Sequence, residues 1–392
     1  MKKKNVIIYG STGSIGSITS KIIAKNINHF HVVALSTNKN TSKLFKQAKL
    51  LNTKNVIITN FYKFKKFKKI FEKRKINVFN DFNKFHLSIK NKKFDYVMSA
   101  ISGLPGLEPT LKIIKNTKVI AIANKESIIC GWNLIYKELK KNKTKFLPVD
   151  SEHFSIFSLL NDNLDVNIET IYITASGGPF LHKSKKYLLN VKAKEAVKHP
   201  NWSMGKKISI DSATLMNKVF EIIEAQRIFN FNLNTFKILI HPNSYVHAIV
   251  KLNNGLLKFV AHDTDMDIPI FNTLFYNDKR KKYFKPYKLD FKKINNLKLS
   301  EPNLKKFTSL NFLSKIKNHT TLFETILVAA NDELVNYYLQ NKIKFSDIVP
   351  FVTKIINNKK FSKILNKKPK NIDQIYKLIE EVRLQTRIQC IK

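Results

Sequence analysis

The chain has 392 residues, 43% of them hydrophobic, which suffices for two or three globular domains and excludes a disordered chain. Its formal net charge is +42, from 70 Lys and Arg against 28 Asp and Glu. The lysines are spread through nearly every segment among many Asn, Ile and Phe, which suggests an AT-rich bacterial genome rather than a basic stripe, so no nucleic-acid partner is indicated. Two widely separated cysteines, Cys130 and Cys390, argue against a disulfide framework or thiolate zinc site and fit a reducing cytoplasm.

No run approaches the roughly eighteen apolar residues that cross a bilayer, so no membrane partner is expected. The opening MKKKNVIIYG breaks into glycine after a few apolar residues and reads as a strand, not a signal peptide. Then come a helix from about Ser17 and the apolar runs HVVALS, VIIT, YVMSAIS, VIAIAN and FLPVDS. Strands alternating with helices predict a doubly wound parallel sheet, whose ligands sit beyond the carboxyl ends of the strands.

Residues Gly10 to Gly16, GSTGSIG, follow the first strand and open a helix. Glycines there let backbone amides approach a pyrophosphate, although packing alone also selects such turns. The second strand runs into Thr37, Asn38, Lys39 and Asn40 without the carboxylate that an NAD enzyme places at the ribose. Lys39 is suited to a 2′-phosphate, which favours NADPH; the bland alternative is one more surface lysine. Asn124, Lys125 and Glu126 of ANKES follow another strand at the ligand edge, or simply start a helix with Asn as its cap.

In VDSEH, Asp150 and Glu152 are two apart at a strand end, where period-two geometry points both carboxylates the same way. Such a pair suits a hard cation, Mg²⁺ or Mn²⁺, while Asp150 or Ser151 as a plain helix cap competes. The chain continues with a strand IYITAS, a Gly-Gly turn, a strand KKISI and a long helix from Ser212. On that helix Asn217, Lys218 and Glu221 share a face, and Glu221 or Glu224 is available as a third oxygen ligand. Its N-terminus at Ser212 is a candidate anion site. Thr174 to Phe180, TASGGPF, offers a hydroxyl and a possible anion-binding concavity or a plain turn. His199 to Gly205, HPNWSMG, suits a cover with a glycine hinge, or a packed loop with a buried Trp. VHAIVKL and LLKFVAH flank Asn253–Gly255 as a hairpin. From TLFETILVAANDELVNYYL onward the periodicity is helical.

GSTGSIG, ANKES, VDSEH, TASGGPF and HPNWSMGKKISIDSATLMNK, in this order and spacing, resemble the 1-deoxy-D-xylulose 5-phosphate reductoisomerase family over essentially the whole chain. The resemblance implies an N-terminal Rossmann-like NADPH domain (1–149), a central α+β catalytic and dimerisation domain (150–276), a connector (277–306) and a C-terminal helical domain (307–392). It implies a homodimer that rearranges and reduces 1-deoxy-D-xylulose 5-phosphate to 2-C-methyl-D-erythritol 4-phosphate, in the non-mevalonate isoprenoid precursor pathway.

By motif match, Asp150, Glu152 and Glu221, not Glu224, would hold the Mg²⁺ or Mn²⁺. Ser176, Ser212, Asn217 and Lys218 would hold the substrate and its phosphate, with Lys125, Ser151, Glu152, His199 and Glu221 around the reacting carbons. Thr12, Gly13, Ser14, Ile15, Asn38, Lys39, Asn40, Asn124, Glu126 and Gly205 would line the cofactor. Trp202 and Met204 would sit on the mobile cover.

The chain departs from the family pattern twice. Thr37 and Asn38 replace Ala-Gly ahead of Lys39, which Asn tolerates even at positive φ. His262 to Asp267 stand where the family has Gly-x-Pro-Asp-Met-Arg, which puts the local loop and the dimer contact in question. A metal-independent NADPH dehydrogenase of a phosphorylated aldehyde, and a cationic nucleic-acid-binding protein on a degenerate scaffold, are the competing readings.

Overall fold

The computed structural model describes residues 2–160, 167–277 and 290–391. Part of the connector expected over 277–306, residues 278–289, lies outside the described residues. The chain forms two compact units: Met1–Ser127 with Leu134–Asp150 and Met266–Pro286, and Ile128–Asn133 with Ser151–Asp265 and Tyr287–Lys392.

The first unit is built on seven strands: β1 (Lys4–Tyr9), β2 (Phe30–Thr37), β3 (Asn55–Ile58), β4 (Asn77–Phe79), β5 (Phe94–Ser99), β6 (Thr117–Ile122) and β7 (Lys145–Pro148). Their order is β4-β3-β2-β1-β5-β6-β7 and every pairing is parallel. Continuous apolar runs make this possible: Val6, Ile7, Ile8 and Tyr9 of β1 are fully buried, as a sheet covered on both faces requires. The chain builds outward from β1 to β4, then returns to place β5 on the other side of β1. Strand order therefore reverses at the carboxyl ends of β1 and β5.

GSTGSIG lies at that reversal. Gly10 has φ +73°, and a Cβ on it would come within 2.4 Å of the Ala100 carbonyl oxygen just past β5. A Cβ on Gly16 would come within 2.3 Å of the Gly10 carbonyl oxygen. The turn needs glycine at both positions because its backbone passes so close to itself and to β5. It feeds the helix Ser14–Lys25, which starts three residues earlier than the periodicity suggested, with Gly13 at its N-cap.

The second unit carries β8 (Ile168–Ala175), β9 (Phe236–Ile240), β10 (Val246–Leu252) and β11 (Leu257–Ala261) in the order β11-β10-β8-β9. β8 and β9 are parallel, while β10 runs antiparallel to β8 and β11. The expected hairpin at Asn253–Gly255 is present, with Gly255 at φ +86°. The helix Ser151–Leu160 packs on β10 and β11.

One expected strand is absent. KKISI lies in the helix Lys206–Ala213, and Ser212 sits in its last turn rather than starting the next helix. Alternating Ile208 and Ile210 mimicked a strand, but the helix brings Lys207 to Asp211 at 3.1 Å one turn on, and distant partners hold both ends of that pair: Asn331 Nδ2 donates to Asp211 at 2.7 Å and Asp332 meets Lys207 at 2.9 Å. Leu215 then breaks the helix at φ +57°, a conformation costing a branched side chain about 1–2 kcal/mol. The helix Met216–Phe229 begins after it.

That second helix is buried along nearly its whole length, Lys218, Glu221, Glu224, Gln226 and Arg227 included. Near its end Arg227 Nη2 meets Glu324 Oε1 at 2.6 Å with both side chains almost fully buried. Burial pulls the Arg227 guanidinium down and pushes the Glu324 carboxyl up. Glu324 also closes the capping box with Thr321 that starts the helix Leu322–Leu339. Helices Ile348–Ile356 and Ile372–Ile391 pack against that one, forming the expected helical C-terminal region. Among the described residues no helix is long and apolar enough to cross a membrane.

Candidate active site

Lys218 is 4% exposed, and its ammonium lies between two carboxylates. It reaches Glu152 Oε1 at 3.2 Å, pairs with Glu221 one turn along its own helix, and donates to the Thr174 carbonyl at 2.5 Å at the end of β8. Asn217 donates to the other oxygen of Glu221, and Ser151 Oγ donates to Glu152 Oε2 at 2.6 Å. His153 joins the two helices: its Nε2 donates to the Glu221 carbonyl at 2.9 Å, and its Nδ1 lies 3.7 Å from Glu224 Oε2.

The carboxylate pairing expected of VDSEH is realised by a different geometry. β7 ends at Pro148 and Glu152 lies in the first turn of the helix Ser151–Leu160, so strand alternation does not orient the pair. The helix turn supplies the convergence. Asp150, Glu152 and Glu221 each offer an oxygen, all within 4.8 Å of one another. Three carboxylates with no nitrogen or sulfur donor suit a hard divalent ion such as Mg²⁺. A second grouping, Asp150 with His153 and Glu224, has the same spacing, but its imidazole suits a softer metal. Asp150 is also 3.2 Å from Lys125 Nζ, whose residue is 8% exposed.

Ser176 pairs with His199 in the second unit. Ser176 Oγ and His199 Nε2 are 2.9 Å apart, while His199 Nδ1 accepts the amides of Asn201 and Trp202 at 3.2 and 3.0 Å. Accepting at Nδ1 leaves the proton on Nε2, so His199 donates to Ser176, which also accepts the Gly178 amide at 3.0 Å. Burial, then the nearby Lys218 ammonium, lower the His199 pKa to about 4. The Gly177–Gly178 turn has positive φ at both residues, and a Cβ on Gly178 would come within 2.8 Å of the Ser212 carbonyl oxygen. Because Ser212 occupies a helix end, its backbone presents carbonyls there, and the expected N-terminal anion site at Ser212 is not formed. Gly205 caps the Lys206–Ala213 helix in ordinary extended backbone, exposed and with open space around it. Trp202 packs edge-on against His247, ring centroids 6.0 Å apart; Met204 is half-buried in the same loop.

In the first unit, Thr12 and Thr37 share a hydroxyl hydrogen bond at 2.7 Å, which ties the glycine turn to the end of β2. Ser14 and Ile15 form the first helical turn after Gly13. Asn38, Lys39 and Asn40 are exposed beyond β2. Asn38 does not use positive φ; its side chain donates to Thr59 at 2.8 Å. Asn40 caps the following helix. Asn124 is 3% exposed and realises the cap reading: Oδ1 accepts the Ser127 amide at 2.8 Å, and Nδ2 donates to the carbonyls of Ile101 and Gly103. Glu126 lies in that helix's first turn. Sequence reading missed His153 as a brace and Arg227–Glu324 as an anchor; their partners are distant in sequence, and no spacing signals them.

Three family models match, described as the 1-deoxy-D-xylulose 5-phosphate reductoisomerase over residues 6–131, its C-terminal domain over 146–229 and the DXP reductoisomerase C-terminal domain over 262–385. The chain is 55% identical to the reductoisomerase of Pelagibacter ubique, over 97% of this chain and 98% of that one. The chain belongs to the 1-deoxy-D-xylulose 5-phosphate reductoisomerase family. The reductoisomerase of a Wolbachia pipientis strain is 40% identical over 91% of this chain and 90% of its own. Two solved reductoisomerases have nearly the same fold. The Zymomonas mobilis enzyme in complex with NADPH gives a TM-score of 0.88 at 32% identity, covering 99% of both chains. One in complex with NADPH, fosmidomycin and magnesium gives 0.90 at 31% identity, covering 99% of this chain and 98% of that one.

The low His199 pKa has a consequence for the stability of this reductoisomerase. A histidine whose folded pKa lies below its unfolded value of 6.5 contributes stability that is fully present above 6.5 and lost as pH falls toward 4. In urea titrations from pH 7 to pH 4, His199→Gln is expected to remove that part of the acid-side decline. An unchanged decline would mean that His199 titrates normally.

Proposed function

We propose that this chain converts 1-deoxy-D-xylulose 5-phosphate to 2-C-methyl-D-erythritol 4-phosphate with NADPH as reductant and a divalent cation, Mg²⁺ or Mn²⁺, held by Asp150, Glu152 and Glu221. The observation that carries the reading is the buried Lys218 ammonium between Glu152 and Glu221, within a set of three converging carboxylates. Carboxylates at such spacing, one buried and two half-buried, repel one another and need positive charge. Bound magnesium supplies Lewis-acid polarisation of the substrate's carbonyl and neighbouring hydroxyl, and bound NADPH supplies the hydride.

The chain's own groups do the rest. Lys218, with Ser176, Ser212 and Asn217, would hold the substrate's anionic end. His199 is neutral at physiological pH, so it contributes a hydrogen-bond donor and not a charge. Lys125, paired with Asp150, and Ser151, bonded to Glu152, orient groups beside the reacting carbons. Trp202 and Met204 cover the site and exclude water. The turn at Gly13, Ser14 and Ile15, with Thr12, Asn38, Lys39, Asn40, Asn124, Glu126 and Gly205, receives the cofactor; Lys39 supplies the cation suited to a 2′-phosphate.

The domain division at 1–149, 150–276 and 307–392, with a connector over 277–306, and a cytoplasmic location belong to the same reading. No disulfide joins Cys130 and Cys390, which suits a reducing compartment. The homodimer is supported by β11, an edge strand on which Leu257 and Phe259 are 62% and 51% exposed. An apolar edge of this kind invites pairing with another chain.

Purified protein is expected to oxidise NADPH, followed at 340 nm, only when both the sugar phosphate and Mg²⁺ or Mn²⁺ are present, with EDTA abolishing turnover reversibly. NADPH oxidation without metal would favour the metal-independent dehydrogenase. For the dimer, sedimentation of the wild type is expected to give about twice the chain mass, and Phe259→Lys to shift it toward one chain. A monomeric wild type would remove the dimer.

A further inference from the structure

His262, one of the residues by which this chain departs from the family pattern, is linked to Trp202 through one intervening ring, that of His247. Its ring stacks on His247 with centroids 3.8 Å apart and an interplanar angle of 19°. His247 is 1% exposed and donates from Nε2 to the His262 carbonyl at 3.1 Å, so backbone and ring of His262 both fix it. His262 is itself 7% exposed. Its Nδ1 donates to the Asp263 carbonyl at 2.8 Å, and its amide donates to Tyr245 at 2.9 Å, continuing the β10–β11 pairing.

His247 also meets the Trp202 indole, edge-on. Two residues on, the Thr264 hydroxyl donates to the Asn201 carbonyl at 3.2 Å. Asn201 is in turn held by Pro242 and Ser244. Every component of this column belongs to the second unit.

We infer that His262 is a positioning residue that, through the His247 ring and with Thr264, holds the Trp202 loop in one arrangement before substrate arrives. A glycine at 262 has no ring to stack, so His247 loses its backing and Trp202 its fixed neighbour. An ordered cover loses less conformational freedom on closing, and the gain is seen in substrate affinity rather than in the chemical step. The inference rests on the reductoisomerase reading for the role of Trp202, but not for the clamp itself.

The test uses the full chain. The sequence contains two tryptophans, Trp132 and Trp202, so a Trp132→Phe background leaves Trp202 as sole reporter. In that background His262→Gly is expected to lower the Trp202 fluorescence anisotropy of the ligand-free protein and to raise KM for the sugar phosphate roughly two- to tenfold, the scale of one aromatic pair, with kcat changed less than about twofold. His262→Phe, which keeps a flat ring, is expected to restore both values, and Thr264→Val to lower the anisotropy by itself.

Anisotropy and KM unchanged in His262→Gly would overturn the inference, as would a Phe variant as loose as the Gly variant. Should the Gly variant not fold, His262→Leu, which fills the space without stacking, decides by the same readouts. If no variant or parent turns over the sugar phosphate, the function is wrong, yet the anisotropy still decides the clamp.

Discussion

The second unit is organised around a buried ammonium. Lys218 is held by Glu152, Glu221 and the Thr174 carbonyl, and each of those groups comes from a different element. A buried charge costs several kcal/mol unless it is surrounded by compensating groups, so the helix Ser151–Leu160, the end of β8 and the helix Met216–Phe229 must converge. His153 fixes the first of these to the last through the Glu221 carbonyl. Arg227 and Glu324 secure the far end of the last helix to the C-terminal helices. Removing one member of such a buried pair typically costs about 3–5 kcal/mol. Leu215, in a left-handed conformation just before Met216, is the strain that this convergence tolerates.

The first unit obeys a constraint of space rather than charge. The polypeptide at Gly10 and Gly16 passes so close to Ala100 and to itself that a Cβ at either position would overlap a carbonyl oxygen. That crowding keeps the turn at the switch point between β1 and β5 and leaves the first amides of the helix Ser14–Lys25 for an anion. The two demands, charge compensation in one unit and backbone proximity in the other, match the requirements of a metal-assisted rearrangement and of pyrophosphate binding.

Much of this was legible from the residues. The parallel sheet follows from apolar runs such as NVIIYG and YVMSAIS, and the hairpin from Asn253–Gly255. The carboxylates do lie together, but not through strand alternation, since Glu152 lies on a helix turn. KKISI misled because two alternating isoleucines look like a strand, while the deciding partners, Asn331 and Asp332, lie more than a hundred residues away. The braces at His153 and Arg227 and the His247–His262 stack were invisible for the same reason: each depends on tertiary neighbours that no local period announces. Asn124 shows the opposite case, in which a conspicuous motif residue proves to be a helix cap whose amide also ties down the loop after β5.

The central claim is that the carboxylates around Lys218 form a binding site for one divalent ion. Electron paramagnetic resonance of Mn²⁺ titrated into the protein, with and without Glu221→Gln, tests it without recourse to turnover. One tightly bound Mn²⁺ per chain in the wild type, lost or weakened by about tenfold or more in the variant, is the result predicted. Equal Mn²⁺ binding by the variant and the wild type would contradict it and move the metal away from Glu221.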